Sequence, residues 1–123
     1  MSLYYSMKNY RCNFTLISLI AMASSAHSNE HIEGEKLFNQ NCVECHQSNG
    51  QGIANIYPAL AGSEVVKGSP ADVALILIIG RGEMPAFAGA ISDGDLAKII
   101  NYVSNAWGNE GELITAQMIE LLK

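Results

Sequence analysis

The residues with the clearest chemistry are two cysteines and a histidine near the middle of the chain, in the sequence Cys42-Val43-Glu44-Cys45-His46. On a helix, two thiols three positions apart lie about one turn from each other. Each thiol can then form a thioether with one of the two vinyl groups along one edge of a haem, and the adjacent imidazole can reach the iron. This spacing is typical of covalent haem attachment. We therefore predict one haem c bound through Cys42 and Cys45, with His46 as an axial ligand of its iron.

The same cysteine pair is open to other chemistry. A structural zinc site needs four nitrogen or sulfur ligands, and the remaining histidines, His27 and His31, are less well placed. A thioredoxin-type dithiol would require a strand before the motif and a βαβ context, which the sequence lacks. A plain disulfide, formed in an oxidising compartment, is the simplest alternative. We favour haem attachment over all three.

A methionine is the expected sixth ligand of the iron, and downstream of residue 26 the chain has only Met84 and Met118. Met84 lies 38 residues after His46, in a loop where Gly and Pro fix a backbone excursion that can bring the thioether over the far face of the haem. Met118 belongs to a short amphipathic tail and is expected to pack there. His31 lies near the start of the helix that ends at the motif, so it should project to the wrong side. We predict His46 and Met84 as the two iron ligands.

Three helical segments must position these residues, and no stretch shows the period-two alternation of a half-buried strand. The first is expected from about Glu30 to Cys42. The second begins at Ser69-Pro70, a cap followed by a favoured first residue, and stops at Gly80. Its apolar interior predicts burial on most sides.

The third helix is expected to begin at Ser92 and to carry its apolar residues on one face. A final stretch, residues 115–122, is helical in pattern and either lies across the domain or frays. These helices would enclose a thin core, and a large planar apolar cofactor would supply the missing buried surface. The prediction is an all-α domain with three main helices and a short C-terminal helix around one haem.

The start of the chain predicts export. Lys8 and Arg11 precede an apolar run over residues 14–23, and small residues follow at 24–26. The run is half the roughly 20 residues that a membrane-spanning helix needs, so cleavage is expected, with retention as an anchor the alternative. We predict a signal peptide over residues 1–26 and one domain over residues 27–123. Whether the chain starts at Met1 or Met7 is left open.

Composition narrows the classes of partner. From residue 27 onward there are twelve acidic and five basic residues, a formal charge of −7. This excess of negative charge argues against nucleic acid as a partner. Removal of the signal would also remove Cys12, so the mature chain would have no thiol besides Cys42 and Cys45.

The chain after residue 26 resembles the class I cytochrome c family in motifs spread over nearly its whole length. These motifs are Gly34 and Phe38 before the haem motif, Asn49-Gly50-Gln51-Gly52 and Tyr57-Pro58-Ala59-Leu60 after it, Gly82-Glu83-Met84-Pro85-Ala86-Phe87, and the helix from Ser92-Asp93 to Tyr102-Val103. A weaker likeness, in the ending from Tyr102 through Trp107 to Asn109, is to cytochrome c subunits or domains that accompany periplasmic dehydrogenases and copper nitrite reductases.

The resemblance implies roles for further residues. In that family the first and last helices cross near positions like Gly34 and Tyr102, and a proline carbonyl, here that of Pro58, accepts a hydrogen bond from the ligand histidine. Such a contact orients the ring and tunes its basicity. Tyr57 and Trp107 are candidate donors to the haem propionates, and Arg81 is a candidate ion-pair partner. The alternative for each is simple packing or a solvated charge.

These assignments predict an electron carrier. If His46 and Met84 fill both axial positions, the iron has no open site, so the expected chemistry is outer-sphere transfer of one electron, at a relatively high potential. We expect a periplasmic, non-enzymatic carrier with no small-molecule substrate, shuttling electrons between redox enzymes of a respiratory chain. Partners are expected at the haem edge, near residues 53–56 and 86–88. The alternatives are a peroxidase-like enzyme or gas sensor with Met84 off the iron, and a tightly bound subunit of a larger oxidoreductase.

Overall fold

The computed structural model describes residues 28–123. The predicted signal over residues 1–26, with both candidate starts and Cys12, lies outside the described residues, as does His27. Within residues 28–123 the chain forms helices and isolated bridges but no strand, which confirms the predicted all-α fold. The helices are α1 (residues 28–41), α2 (Val43–His46), α3 (Glu64–Lys67), α4 (Pro70–Ile79), α5 (Asp93–Asn105) and α6 (Ala116–Glu120).

Helix α1 meets α5 at Gly34. A Cβ atom at this position would lie 2.8 Å from the Cβ of Tyr102 and would collide with the backbone carbonyl of Lys98, so glycine is required for the approach. One turn later Phe38 is fully buried, with its ring centroid 5.6 Å from that of Tyr102. This contact fixes α1 against α5 just before α1 reaches the cysteine motif.

Helix α4 begins and ends as the sequence predicts. The Ser69 side chain accepts a hydrogen bond from Ala71 N, Pro70 takes the first helical position, and the chain leaves the helix at Gly80 with φ of 77°. The expectation of burial on most sides is wrong, because Ile79 is 72% exposed and the buried side chains follow one face. No helix within residues 28–123 has the length and apolar character required to cross a bilayer.

Helix α5 runs through the centre of the described domain. Its N-cap is Ser92, whose hydroxyl accepts from Asp95 N, as predicted. With α4 and the C-terminal segment it encloses one buried cluster, Ala74, Leu77, Leu96, Ala97, Ile100, Ile114 and Ile119. Its other side encloses a second cluster, Phe38, Val66, Ile99, Tyr102, Val103 and Ala106. Side chains of both clusters line the large cavity described below.

The C-terminal segment lies across the domain. The Asn101 side chain binds both backbone polar groups of Ile114, donating to its oxygen (3.0 Å) and accepting from its nitrogen (2.8 Å). Ile114 and Ile119 are buried, and Thr115 caps α6 by accepting from Met118 N. The sequence left open whether this segment lies across the domain or frays, and in the structure it lies across the domain.

Two short helices differ from the sequence prediction. Helix α1 stops before Cys42, which forms a turn, and α2 then carries the rest of the motif. Helix α3 was not predicted at all. It is capped by Ser63 and buries Val66, but four residues are too few for a helical period to be visible in the sequence.

Candidate functional site

The cysteine motif lies on one short helical turn at the end of α1. Cys42 N donates to Phe38 O (2.8 Å), which continues the bonding of α1, and Cys42 O accepts from His46 N (3.0 Å), which begins α2. The backbone of Cys42 itself departs from helical geometry, with φ of −126°. The local structure therefore places two free thiols and an imidazole on the turn that the spacing predicted.

The His46 ring is held in one orientation by a carbonyl. His46 is 7% exposed, and its Nδ1 lies 3.0 Å from the backbone oxygen of Pro58. A carbonyl only accepts hydrogen bonds, so Nδ1 carries a proton, and Nε2 is the ring nitrogen left to bind a metal ion. A neutral imidazole in this state is the form that binds a metal ion. The contact between His46 and Pro58 agrees with the role that the family resemblance implies for Pro58.

Gly52 allows the Pro58 carbonyl to lie beside the histidine. Gly52 N donates to His46 O (3.0 Å), and its backbone has φ of 62°. A Cβ atom at Gly52 would stand 2.6 Å from Pro58 O and would also collide with Tyr57 O. Any side chain here would push the carbonyl away from its position next to the imidazole.

A cavity of about 690 Å³ opens beside the motif. Its volume falls within the range of about 300–1,000 Å³ typical of cofactor sites. The lining is mainly apolar and comes from α1 to α5 and the loops between them; it includes Cys42, Cys45, His46, Tyr57, Pro58, Leu60, Val66, Val73, Ile76, Leu77, Arg81, Met84, Phe87, Ile99, Ile100 and Val103. A large apolar space against both thiols and an imidazole oriented by Pro58 O fits a porphyrin attached at the cysteines.

The state of the Cys42 thiol also reports an apolar site. Burial, with the nearby Cys45 as a smaller cause, raises the pKa of the Cys42 thiol to about 11. The pKa of Cys42 is raised because its surroundings do not solvate a thiolate. The same lack of polar solvation suits the body of a porphyrin.

Met84 reaches the cavity from a tight turn after α4. Arg81 N donates to Met84 O and Met84 N donates to Arg81 O, both at 3.0 Å, so the two residues close the turn. Phe87 N then donates to Leu77 O (2.8 Å), which ties the loop back to α4. Met84 is half-buried and lines the cavity, whereas Met118 is 44% exposed on α6 and is not among the lining residues.

Tyr57 and Arg81 also line the cavity. The pKa of Tyr57 is raised, first by the charge of the neighbouring Cys45 and by a hydrogen bond to it, then by burial and Glu83. Arg81 is exposed and belongs to none of the ion pairs formed within residues 28–123. Its guanidinium is therefore a cation on the cavity wall without an acidic partner there.

Two residues named from the sequence lie away from the cavity. Trp107 was expected at a propionate, but its indole N–H donates to Ser48 O (3.0 Å), and the residue does not line the cavity. This position gives the expected propionate contact no support. His31 packs its ring against Tyr102, with centroids 5.1 Å apart, consistent with the prediction that it projects elsewhere.

Asn109 is a buried polar residue to which the sequence analysis assigned no role. Its side chain bonds to backbone groups of Leu60, Gly62 and Val103. Leu60 and Gly62 lie 49 and 47 residues earlier in the chain, so no short motif marks Asn109.

The matches to known proteins all point to one protein family. The family model described as "Cytochrome C oxidase, cbb3-type, subunit III" matches residues 29–103, which is more than half of the chain. The chain is 31% identical to cytochrome c-552 of Thermus thermophilus, over 84% of this chain and 74% of that protein. It is 34% identical to cytochrome c6 of Microcystis aeruginosa, over 58% of this chain and 90% of the relative.

A further relative is much longer. The chain is 28% identical to the cytochrome c subunit of alcohol dehydrogenase (quinone) from Gluconobacter oxydans, and the match covers 73% of this chain but only 22% of that subunit. The motif, its cavity and these matches lead to one conclusion. The chain belongs to the class I c-type cytochromes, electron-transfer proteins with one haem, and its haem c is attached covalently at Cys42 and Cys45.

Proposed function

We propose that this cytochrome is an exported one-electron carrier in which His46 and Met84 are the two iron ligands. The observation that carries the proposal is the shared cavity, which is lined by both thiols, the buried His46 ring and the Met84 side chain. With both axial positions filled by the protein, no position on the iron is free for a substrate. Electron transfer, without bond chemistry at the metal, is the function that remains.

The side chains around the cavity set the conditions for that transfer. Haem c, when bound, supplies a reversible one-electron iron couple. Pro58 holds His46 Nδ1–H, so the imidazole presents Nε2 in a fixed direction, and the turn closed by Arg81 and Met84 presents the thioether. The apolar lining excludes water and disfavours the additional positive charge of ferric iron, which supports a relatively high potential.

Two polar residues are proposed to bind the propionates. Arg81 lines the cavity and has no acidic partner within the described ion pairs, so its charge can pair with a carboxylate of the cofactor. The Tyr57 hydroxyl lines the same cavity and can donate a hydrogen bond. Both contacts would fix the polar edge of the haem while the apolar body stays buried.

The exposed apolar rim of the cavity is the proposed docking face. Ile56 and Val65 line the cavity and are 68% and 42% exposed, and Ile53 is partly exposed beside them. Ala86 and Ala88 are exposed as well, whereas Phe87 packs against the core and so belongs to the interior. A small apolar patch on an acidic protein suits brief encounters better than permanent association.

The partners are proposed to be redox enzymes outside the cytoplasm. The order of basic, apolar and small residues over residues 1–26 supports export to the periplasm. Relatives named as cytochrome c subunits of alcohol dehydrogenase and of gluconate 2-dehydrogenase make a dehydrogenase a natural donor. A respiratory oxidase or reductase would then be the acceptor. Size exclusion of a native extract distinguishes a free carrier, which elutes near its own mass, from a subunit that elutes with a complex.

Carbon monoxide binding tests the absence of an open iron position. In the reduced holoprotein we expect carbon monoxide to leave the absorption spectrum nearly unchanged, because Met84 holds the sixth position. Met84→Ala should bind carbon monoxide and change its spectrum strongly. A wild-type protein that binds the gas as readily as Met84→Ala would contradict the proposal and favour the enzyme or gas-sensor alternative.

A further inference from the structure

The chain after α5 makes a turn that carries Asn109 into the interior. Trp107 and Gly108 both have left-handed backbone conformations, with φ of 53° and 82°. Asn109 N then donates to Ala106 O, and Gly111 N to Ser104 O, both at 2.9 Å. The turn over residues 106–111 is thereby closed, and Asn109 is left only 4% exposed.

The Asn109 side chain joins this turn to the segment that follows Pro58. Its Nδ2 donates to Val103 O (2.9 Å) on α5 and to Leu60 O (3.1 Å). Its Oδ1 accepts from Gly62 N (2.9 Å). Both amide hydrogens and the oxygen are therefore used, and the partners at Leu60 and Gly62 begin two residues after the carbonyl that binds His46.

Trp107 fastens the loop on the other side of His46. Its indole N–H donates to Ser48 O (3.0 Å), and its ring lies directly against the backbone of Gly50. Gly50 O in turn accepts from Leu60 N (2.7 Å) and Ala61 N (2.9 Å). The loop after His46 and the segment after Pro58 are thus bonded to each other and to the same turn.

We infer that Asn109 is a positioning residue for the histidine ligand, with Trp107 as its second support. Asn109 fixes Leu60 and Gly62 against α5, and this fixes the Pro58 carbonyl 3.0 Å from His46 Nδ1. A firmly placed acceptor raises the basicity of the imidazole and stabilises ferric iron. The turn over residues 106–111 therefore sets the reduction potential without touching the haem. This inference depends on the proposed ligation of iron by His46.

Asn101, on the α5 helix that precedes the turn, offers a matched control. It is also an asparagine with both a donor and an acceptor bond to backbone, but both bonds go to Ile114 in the C-terminal segment. Removing either amide leaves backbone groups without their partner and lowers the free energy of unfolding. Only Asn109 is linked to the segment that carries Pro58.

The test compares Asn109→Ala and Asn101→Ala as reduced, diamagnetic holoproteins. The NMR shift of the His46 Nδ1 proton reports the strength of its bond to Pro58, and voltammetry gives the midpoint potential. We expect both variants to unfold at lower denaturant concentration. Only Asn109→Ala should move the Nδ1 proton upfield and raise the potential. Equal effects in both variants, or an unchanged proton shift in Asn109→Ala, would overturn the inference.

A second variant keeps the test decisive if Asn109→Ala does not accumulate with haem. Trp107→Phe keeps an aromatic side chain but loses the bond to Ser48 O and part of the ring area against Gly50, so a smaller upfield shift of the same proton is expected. An unchanged shift in Trp107→Phe would then reject the inference. The NMR spectrum of the wild-type holoprotein separates this result from a failure of the proposed function. If that spectrum lacks the signal of an iron-bound His46 imidazole, the proposed ligation of iron by His46 is rejected.

Discussion

At the scale of single residues, the site depends on backbone groups that orient side chains. Pro58 O accepts from His46 Nδ1 at 3.0 Å, and this bond decides which nitrogen faces the cavity. Its geometry relies on Gly52, which leaves the carbonyl room, and on Asn109, which holds the next residues. The orientation of the His46 ring thus depends on Gly52 and Asn109, neither of which lines the cavity.

Gly52→Ala should weaken the contact between His46 and Pro58. The new Cβ would stand 2.6 Å from Pro58 O, in addition to the left-handed strain at φ of 62°. Gly89→Ala is the matched control, because φ is 82° there and no atom lies within 4 Å of the added Cβ. Strain alone costs about 1 kcal/mol, and the collision should add at least ~1 kcal/mol in Gly52→Ala. Denaturant unfolding of both holoproteins measures the difference, and equal losses would contradict it.

Met84→Ala should remove the sulfur ligand while leaving the haem attached. The weak far-red absorption band of the oxidised protein reports methionine sulfur on ferric iron, so we expect it to vanish in this variant. Met118→Ala should keep the band, because Met118 lies on α6 and does not line the cavity. Persistence of the band in Met84→Ala, or its loss in Met118→Ala, would transfer the ligand role to Met118.

At the scale of elements, α5 organises the domain because both buried clusters pack against it. Its start is fixed by a reciprocal cap, in which the Ser92 hydroxyl accepts from Asp95 N (3.2 Å) and donates to Asp95 Oδ2 (2.9 Å). Lys98 adds a surface ion pair to the same carboxylate. The helix that crosses α1 at Gly34 is therefore anchored at its first turn.

Ser92→Ala should lower the free energy of unfolding by about 1 kcal/mol, the usual cost of losing an N-cap hydroxyl. Ser92→Thr should stay close to wild type.

The stabilising effect of Asp95 should depend on pH. The Ser92 hydroxyl and then Lys98 lower the pKa of Asp95. The carboxylate therefore stabilises the fold above the ordinary pKa of an Asp and loses this effect as pH falls through the lowered value. The difference between wild type and Ser92→Ala should shrink in acid, as denaturation at pH 7 and below pH ~3 would measure. A difference of the same size at both pH values would contradict this account.

The sequence predicts those features that neighbouring residues determine, and it does not predict contacts between residues that are far apart in the chain. The cysteine motif and the caps Ser69 and Ser92 are local patterns, and all three appear in the structure as expected. Helix α3 is too short to produce a period. Asn109 acts through Leu60 and Gly62, which are 49 and 47 residues away, so only the folded chain brings them together. The Trp107 N–H likewise donates to Ser48 O, 59 residues earlier, and not to the expected propionate.

At the scale of the whole molecule, one chain supplies the cavity, the buried His46, the half-buried Met84 and an apolar rim. The charge of residues 27–123 is −7, with Glu44 and Glu83 at the cavity and Arg81 as the nearby cation. A carrier of this kind is expected to meet partners through the apolar rim, with the acidic surface steering the approach.

Electron exchange with small redox reagents should reveal that steering. At low salt, the reduced holoprotein should be oxidised faster by a cationic metal complex than by an anionic complex of similar driving force. The advantage should shrink as ionic strength approaches 0.1 M, where the screening length is about 10 Å. Stopped-flow rates measure both reagents. A faster anionic reagent would show that Arg81 dominates the field at the haem edge, and rates that do not respond to salt would show that no net field steers the reagents.

The most direct test of the central claim is the intact mass of the protein under denaturing conditions, after export from a host with haem-attachment machinery. We predict that the wild-type chain retains the mass of one haem, that Cys42→Ser and Cys45→Ser each still hold it through one thioether, and that the double variant loses it. A wild-type mass equal to that of the polypeptide alone, with a colourless preparation, would contradict covalent attachment at Cys42 and Cys45 and with it the whole account.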